Sequence, residues 1–159
     1  MDNFWRDAAR GGAIVGAVSV TGTLTQMLTG LSLGLFFWAL IVYFIYKYAK
    51  QRSMLYSPVE GFTYGQSVGF IMAMLAFAGL IAGTGQYIAL SLLSPDFFTT
   101  FYTQLIEISP DLAMSDSAFM QRWLNSPLVW MMSGVAGMLC IGLFVALIVS
   151  AFVRRRPEY

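Results

Sequence analysis

The side chains with the clearest capacity for chemistry are four carboxylates in one short segment: Asp96, Glu107, Asp111 and Asp116. Carboxylate oxygens are the ligands that calcium and magnesium prefer. Their spacing does not match that of a cation-binding loop, however, so a solvated acidic surface is the favoured interpretation. We therefore expect no metal site and no cofactor.

The residue types that the chain lacks argue against several reaction classes. It contains no histidine, which excludes imidazole-ligated haem, histidine-based acid–base catalysis and the usual zinc sites. The apolar stretches carry no charged residue, whereas proton relays, ion paths and membrane-embedded hydrolases place ionisable groups within the membrane. The single cysteine, Cys140, cannot form a disulfide within the chain. The sequence predicts a protein that is not an enzyme.

Charged residues are sorted along the chain rather than scattered. They make up 11% of it, and hydrophobic residues 58%, whereas soluble domains carry roughly a quarter charged residues. Charge-free runs at 11–46, 61–95 and 123–153 separate three basic clusters. Because cytoplasmic loops collect Lys and Arg, these clusters predict the cytoplasmic side, and the acidic segment predicts the opposite side. The clusters are Arg6 and Arg10; Lys47, Lys50 and Arg52; and Arg154, Arg155 and Arg156.

Two cytoplasmic ends require an even number of crossings, so the first charge-free run must cross twice. As one helix it would be about 54 Å long, and the hydrocarbon core is only ~30 Å thick. A hairpin that turns near residues 29–32, where Gly and Ser occur, fits better. The predicted fold class is all-α: a polytopic membrane protein, one domain at 1–159, with four transmembrane helices. The spans are expected at about 12–29, 33–50, 66–93 and 128–152.

The first of these spans is rich in Gly, Ser and Thr. A re-entrant segment buried against protein is the alternative to a full crossing, because lipid cannot satisfy exposed backbone groups.

Residues 94–127 are expected to form an extracytoplasmic helical segment between the third and fourth spans. Ser94, Pro95 and Asp96 favour a helix start, and Ser115 or Asp116 a second one. Apolar residues on the first helix recur at i and i+4. They fit either an interfacial helix in the headgroup zone or a cap on the bundle. These residues are Phe97, Phe98, Phe101, Tyr102, Leu105 and Ile106.

Glycine spacing is the most regular pattern of the third span. Small residues at this spacing let helix backbones approach closely in lipid. They indicate either a docking face for another subunit or close packing within the monomer, and both interpretations stay open. The candidate docking residues are Gly61, Gly65, Gly69, Gly79 and Gly83.

Few polar groups occur within the apolar runs. Gln66, Gln86 and Tyr87 are the candidates for a polar groove between spans. Hydrogen bonds between helices, worth only ~0.6–2 kcal/mol each, are the simpler explanation of such groups.

Several short motifs resemble one known family. They are Gly61-Phe62-Thr63-Tyr64-Gly65, Gln86-Tyr87-Ile88, Ser94-Pro95-Asp96-Phe97, Ser126-Pro127, Gly142, and Ala151 running into Arg154-Arg155-Arg156. In these the chain resembles domain-of-unknown-function family 4199, small four-span inner-membrane proteins of the Bacteroidetes. The resemblance implies a bacterial inner-membrane location and carries over no catalytic residue. It also suggests a polyprenyl-phosphate glycosyltransferase as a partner.

Two functions follow as hypotheses. The first is an accessory or scaffold subunit that docks on a membrane protein partner or on a second copy of itself. The alternative is a protein that binds or transports a lipid or small molecule in a groove between spans. Membrane lipids are expected partners in both cases, and nucleic acid in neither.

Overall fold

Six α-helices make up almost all of the described chain. The computed structural model describes residues 3–30, 33–57, 61–108 and 117–155. No β-strand occurs in these ranges, so the predicted all-helical class is confirmed. The helices are α1 (Phe4–Thr29), α2 (Gly34–Ser53), α3 (Tyr64–Leu93), α4 (Phe97–Ile108), α5 (Ser117–Leu124) and α6 (Pro127–Val153).

The third helix lies at the centre of the bundle. It packs along its length against both α1 and α6, while α2 lies mainly against α1 and touches α6 and α3 less. Two contacts show that the helices alternate in direction. Arg52, at the end of α2, pairs with Asp7 at the start of α1. Phe62, just before α3, exchanges backbone hydrogen bonds of 3.0 Å with Arg155, just after α6. Lys50 of α2 also lines one cavity with Arg154 and Arg155, so the described members of all three basic clusters lie at one end, which we call the basic end.

Three of the helices, α1, α3 and α6, are long and apolar enough to cross a membrane. The chain is thus a helical membrane protein. The second helix does not reach that standard within the described residues, because its charge-free part stops before Lys47 and its last turns carry Lys50 and Arg52. The four predicted spans nevertheless coincide with helices, apart from Leu33, which precedes α2.

Local sequence signals explain where the helices begin and end. Gly30 closes α1 in the left-handed region, with φ of 67°, and its N–H donates to the carbonyl oxygen of Gln26 at 2.9 Å. Thr63 and Gln66 form a reciprocal capping box at the start of α3. Pro127 occupies the first turn of α6, where its missing N–H is no loss.

The polar first helix satisfies its hydroxyl groups internally. Each threonine hydroxyl between residues 21 and 29 donates to the carbonyl oxygen four residues earlier, at 2.6 to 3.2 Å. Such back-bonding hides polar groups from an apolar environment. The Gly- and Thr-rich stretch accordingly forms part of one continuous helix of 26 residues, which disagrees with a re-entrant break within residues 4–29.

The hydrophobic core is concentrated at the basic end. In α1 the buried residues stop at Gly16, and in α2 they begin only at Ile41. Large side chains near the start of α2 are exposed; Leu35, for example, is 90% exposed. The far halves of α1 and α2 are therefore loosely packed, and cavities open beside them. The largest fully buried core side chains include Phe62, Phe70, Ile71, Met74 and Leu75.

The segment between α3 and α6 lies at the opposite end of the bundle. Its first helix begins at Phe97, two residues after the Pro95 that the sequence favoured for the first turn. No residue of α4 is buried. The expected second start at Ser115 or Asp116 lies outside the described residues, and α5 is described from Ser117.

Candidate docking faces and cavities

Two of the five candidate docking glycines pack inside the bundle. A Cβ atom on Gly79 would lie 2.5 Å from the Cα of Val135 and 2.8 Å from the carbonyl oxygen of Gly134. A Cβ atom on Gly83 would collide with the backbone of Trp130. Backbone atoms cannot move aside as a flexible side chain can. Gly79 and Gly83 therefore serve the contact between α3 and α6, which is packing within the monomer.

The sequence interpretation missed the partner of this contact. Gly134 of α6 faces α3, since its Cβ would lie 2.5 Å from the carbonyl oxygen of Gly79. Gly142, eight residues later, also faces α3, where its neighbour is the flexible side chain of Leu75. An eight-residue separation returns to the same helix face after about two turns. That spacing was the signal available in the sequence.

The first helix approaches α3 through glycines too. Gly12 lies against the backbone of Met74, and a Cβ on Gly16 would lie 2.8 Å from the Cβ of Ile81. A neighbouring helix thus packs closely against each flank of α3, and glycine permits this because it has no side chain.

Gly65 and Gly69 differ from all of these positions. Both are exposed on α3, and a Cβ atom on either would have no heavy atom within 4 Å among the described residues. Ala73 and Ala76 continue this face at helical spacing and are half-buried. We call the four residues Gly65, Gly69, Ala73 and Ala76 the small-residue face.

Gly61, the fifth candidate, belongs to a turn. It is buried, has φ of 66°, and precedes the first helical residue of α3. That backbone conformation favours glycine over other residues. Its requirement for glycine is therefore explained by the turn rather than by a docking helix.

The structure does not bring the three candidate groove residues together. The Gln66 side chain accepts a 2.9 Å hydrogen bond from the Thr63 N–H in the capping box. Gln86 lies 20 residues further along α3, which is about 30 Å. Tyr87 donates its hydroxyl to the carbonyl oxygen of Asn125 at 3.1 Å. The Gln66 side chain thus caps α3, the Tyr87 hydroxyl joins α3 to the residue after α5, and Gln86 lines a cavity between α1, α2 and α3.

Two cavities flank the far half of α1. One, of about 220 Å³, lies between α1, α2 and α3 and has a partly polar lining that includes Ser19, Thr23, Gln26 and Gln86. The other, of about 580 Å³, lies between α1, α3 and α6 and is mainly apolar. Its lining includes Val20, Leu80, Ile81, Ile88 and Met131.

Aromatic side chains fasten the start of α4 to the end of the bundle. The ring of Trp130 lies 6.2 Å from that of Phe97 and 5.7 Å from that of Phe98, and Phe98 also meets Tyr87 at 5.8 Å. The indole N–H of Trp130 donates to the carbonyl oxygen of Leu124 at 2.8 Å. The aromatic stripe thus contacts the bundle at its beginning, whereas Ile108 at its end is 81% exposed.

Acidic side chains are not clustered in the part of the chain that is described. No group of three or more possible ligand side chains occurs there. Asp96 and Glu107 are exposed. Asp111 and Asp116 lie outside the described residues.

One comparison with known proteins identifies a family. Residues 10–155 match the family described as Protein of unknown function (DUF4199). The chain belongs to this family. The resemblance seen in the sequence is thereby confirmed. Neither the curated proteins nor the solved structures gave a match.

Proposed function

We propose that this DUF4199 protein is a non-catalytic accessory subunit of the bacterial inner membrane. It crosses the membrane four times with both termini in the cytoplasm, and docks the small-residue face of α3 onto a transmembrane helix of a partner protein.

Charge and length support four crossings. The basic clusters gather at one end of the bundle, as the positive-inside rule requires of a cytoplasmic face. The second helix has 20 residues, or about 30 Å, which matches the hydrocarbon thickness. Its Lys47 and Lys50 are exposed, and long basic side chains at a helix end reach the headgroup layer. Its charge is therefore compatible with a span.

The observation that carries the docking proposal is the open space above Gly65 and Gly69. Elsewhere on α3, at Gly79, Gly83 and Gly85, an added Cβ would meet a neighbouring helix. At Gly65 and Gly69 it would meet nothing. In lipid, helix association depends on close van der Waals contact, which small residues permit. Gly65 and Gly69 thus have the composition of a helix contact without a helix against them, while Ala73, further along the small-residue face, packs against the core.

A pull-down in mild detergent from native membranes tests this proposal. The test variant is Gly65→Leu with Gly69→Leu, because leucine fits the open space and blocks close approach. The control is Ala136→Leu with Gly137→Leu, which adds nearly as much bulk at exposed positions of α6. We expect a stoichiometric partner, or a second copy of the chain, to be lost from the test variant alone. A polyprenyl-phosphate glycosyltransferase is the first candidate to probe.

Unchanged recovery of every stoichiometric partner by a folded test variant would refute the docking face. Equal loss in the control variant would refute it as well, because the effect would then reflect bulk rather than location.

A second function is favoured by the two cavities beside α1. The partly polar cavity that Gln86 lines suits a headgroup or a small polar molecule, and the larger apolar cavity on the other side of α1 suits an acyl chain of a separate ligand. In this alternative the protein binds or transports a lipid or small molecule. A protein that elutes without a partner but enriched in one lipid class, and that loses this enrichment on Gln86→Leu, would replace the subunit proposal.

A further inference from the structure

A charged cavity of about 170 Å³ lies at the basic end, between the start of α1 and the last turns of α2. Its lining contains two guanidinium groups, from Arg10 and Arg52, and one carboxylate, from Asp7. Tyr48 and Gln51 add polar atoms. The lining therefore carries a net positive charge. The two cavities beside the far half of α1 have no charged residue among those that line them.

Arg52 is fixed in this cavity by several neighbours. It donates from Nη1 to Oδ2 of Asp7 at 2.8 Å. Its guanidinium carbon lies 5.8 Å from the ring centres of Phe4 and Tyr56 and 6.0 Å from that of Phe70. Three aromatic faces hold the cation in place. A long side chain that is already ordered loses little further entropy when a ligand binds.

One donor of this fixed guanidinium has no acceptor. The Arg52 side chain is nine-tenths buried, and its Nε is buried without a hydrogen-bond partner among the described residues. A buried donor without an acceptor destabilises the folded protein. This Nε has almost no accessible surface, so an anion in the cavity would meet the terminal nitrogens of the Arg52 guanidinium instead.

A second cation at the cavity is uncompensated. Asp7 pairs with Arg52, and no carboxylate within 4.0 Å pairs with Arg10 in the described part of the chain. Arg10 is exposed at the cavity rim. An anion placed between the two guanidinium groups would satisfy both.

We propose that this cavity binds a single phosphate group. Guanidinium groups match the geometry of phosphate oxygens and form charge-assisted hydrogen bonds with them. The cavity lies at the level where α2 carries Lys47 and Lys50, which suits the headgroup layer of an anionic membrane surface. The phosphate belongs either to a phospholipid headgroup or to a soluble molecule, and the same oxyanion chemistry serves both.

The test is a calorimetric titration of the full chain in a non-ionic detergent at fixed ionic strength. The probes are dihexanoyl phosphatidic acid and inorganic phosphate, added separately. Arg10→Gln removes one cation from the rim, where the fold does not depend on it. Arg6→Gln is the matched control, because Arg6 is an exposed arginine on the same helix that does not line the cavity. Arg52→Lys keeps the charge but removes the planar fork.

We expect Arg10→Gln and Arg52→Lys to weaken binding about tenfold, equivalent to ~1.4 kcal/mol, and Arg6→Gln to leave it within about twofold. Binding of phosphatidic acid well above that of inorganic phosphate assigns the site to a lipid headgroup. Inorganic phosphate that binds at least as tightly assigns it to a soluble molecule. If neither probe binds, the proposal is overturned. It is also overturned if Arg6→Gln weakens binding as much as Arg10→Gln does.

Discussion

Gly79 on α3 and Gly134 on α6 face each other so closely that a Cβ atom on Gly134 would lie 2.5 Å from the Gly79 carbonyl oxygen. The contact lies between two of the helices that are long and apolar enough to span a membrane. No hydrophobic force drives such helices together in lipid, so their stability depends on this close packing.

The first prediction concerns this contact. We expect Gly134→Ala to lower the free energy of unfolding in detergent by about 1–3 kcal/mol, as overpacking does. This loss exceeds the helix-propensity gain of up to ~1 kcal/mol for replacing glycine by alanine. Gly65→Ala, where the new methyl group meets no atom, is the control and should leave stability unchanged or slightly higher. Equal effects of the two substitutions in a denaturant titration would contradict the assigned packing.

The glycines also show which helix contacts could be predicted from the sequence. Their four-residue spacing predicted close helix approach, and Gly79 and Gly83 do lie in such an approach. The spacing is the same at Gly65 and Gly69, where nothing approaches. Periodicity identifies a face of a helix, but not which neighbour covers it, because that depends on how the other helices are arranged around α3.

Polar side chains gave a similar result. Helix ends could be predicted from the sequence because capping depends on neighbouring residues, as in the turn at Gly30 and the first turn at Pro127. Whether Gln66 and Gln86 share one groove could not be predicted in this way, because it depends on how far apart they lie along α3. The pairing of Asp7 with Arg52 joins residues 45 positions apart. Its only sequence signal was a carboxylate within a basic cluster.

The second prediction concerns the attachment of α4 and α5. Trp130→Phe removes the indole N–H that donates to the carbonyl oxygen of Leu124, a loss of about 0.5–1.5 kcal/mol. Because this bond joins α5 to α6, we expect faster amide hydrogen exchange in α4 and α5, with α1 and α3 unaffected. Trp38→Phe, on α2, is the control. Uniform acceleration across all helices, or none in α4 and α5, would show that Trp130 does not fasten this segment.

The third prediction concerns the ion pair at the basic end. Arg52→Gln loses the bond to Asp7 and three aromatic contacts, whereas Asp7→Asn loses only the charge of a side chain that is 30% exposed. We expect Arg52→Gln to reduce thermal stability more, by about 1–3 kcal/mol, because partial exposure weakens the pair itself. The opposite order in thermal unfolding would assign the stabilisation to the carboxylate rather than to the aromatic contacts.

The last prediction concerns topology. In a Cys140→Ser background, single cysteines are introduced by Leu33→Cys before α2, Ser57→Cys after it, and Thr103→Cys in α4. We expect a membrane-impermeant maleimide to label the first and third in intact spheroplasts, and the second only after permeabilisation.

The Leu33→Cys variant decides the number of crossings. The ion pair between Asp7 and Arg52 places the start of α1 and the end of α2 together, so the two helices either cross as a pair or both stay on the basic side. Labelling of the Leu33→Cys variant from outside requires both to cross. Labelling only after permeabilisation would mean that neither helix crosses, which would contradict the packing of α1 along α3 as well as the four-span topology. Either result keeps the two termini on the same side, since α3 and α6 run in opposite directions.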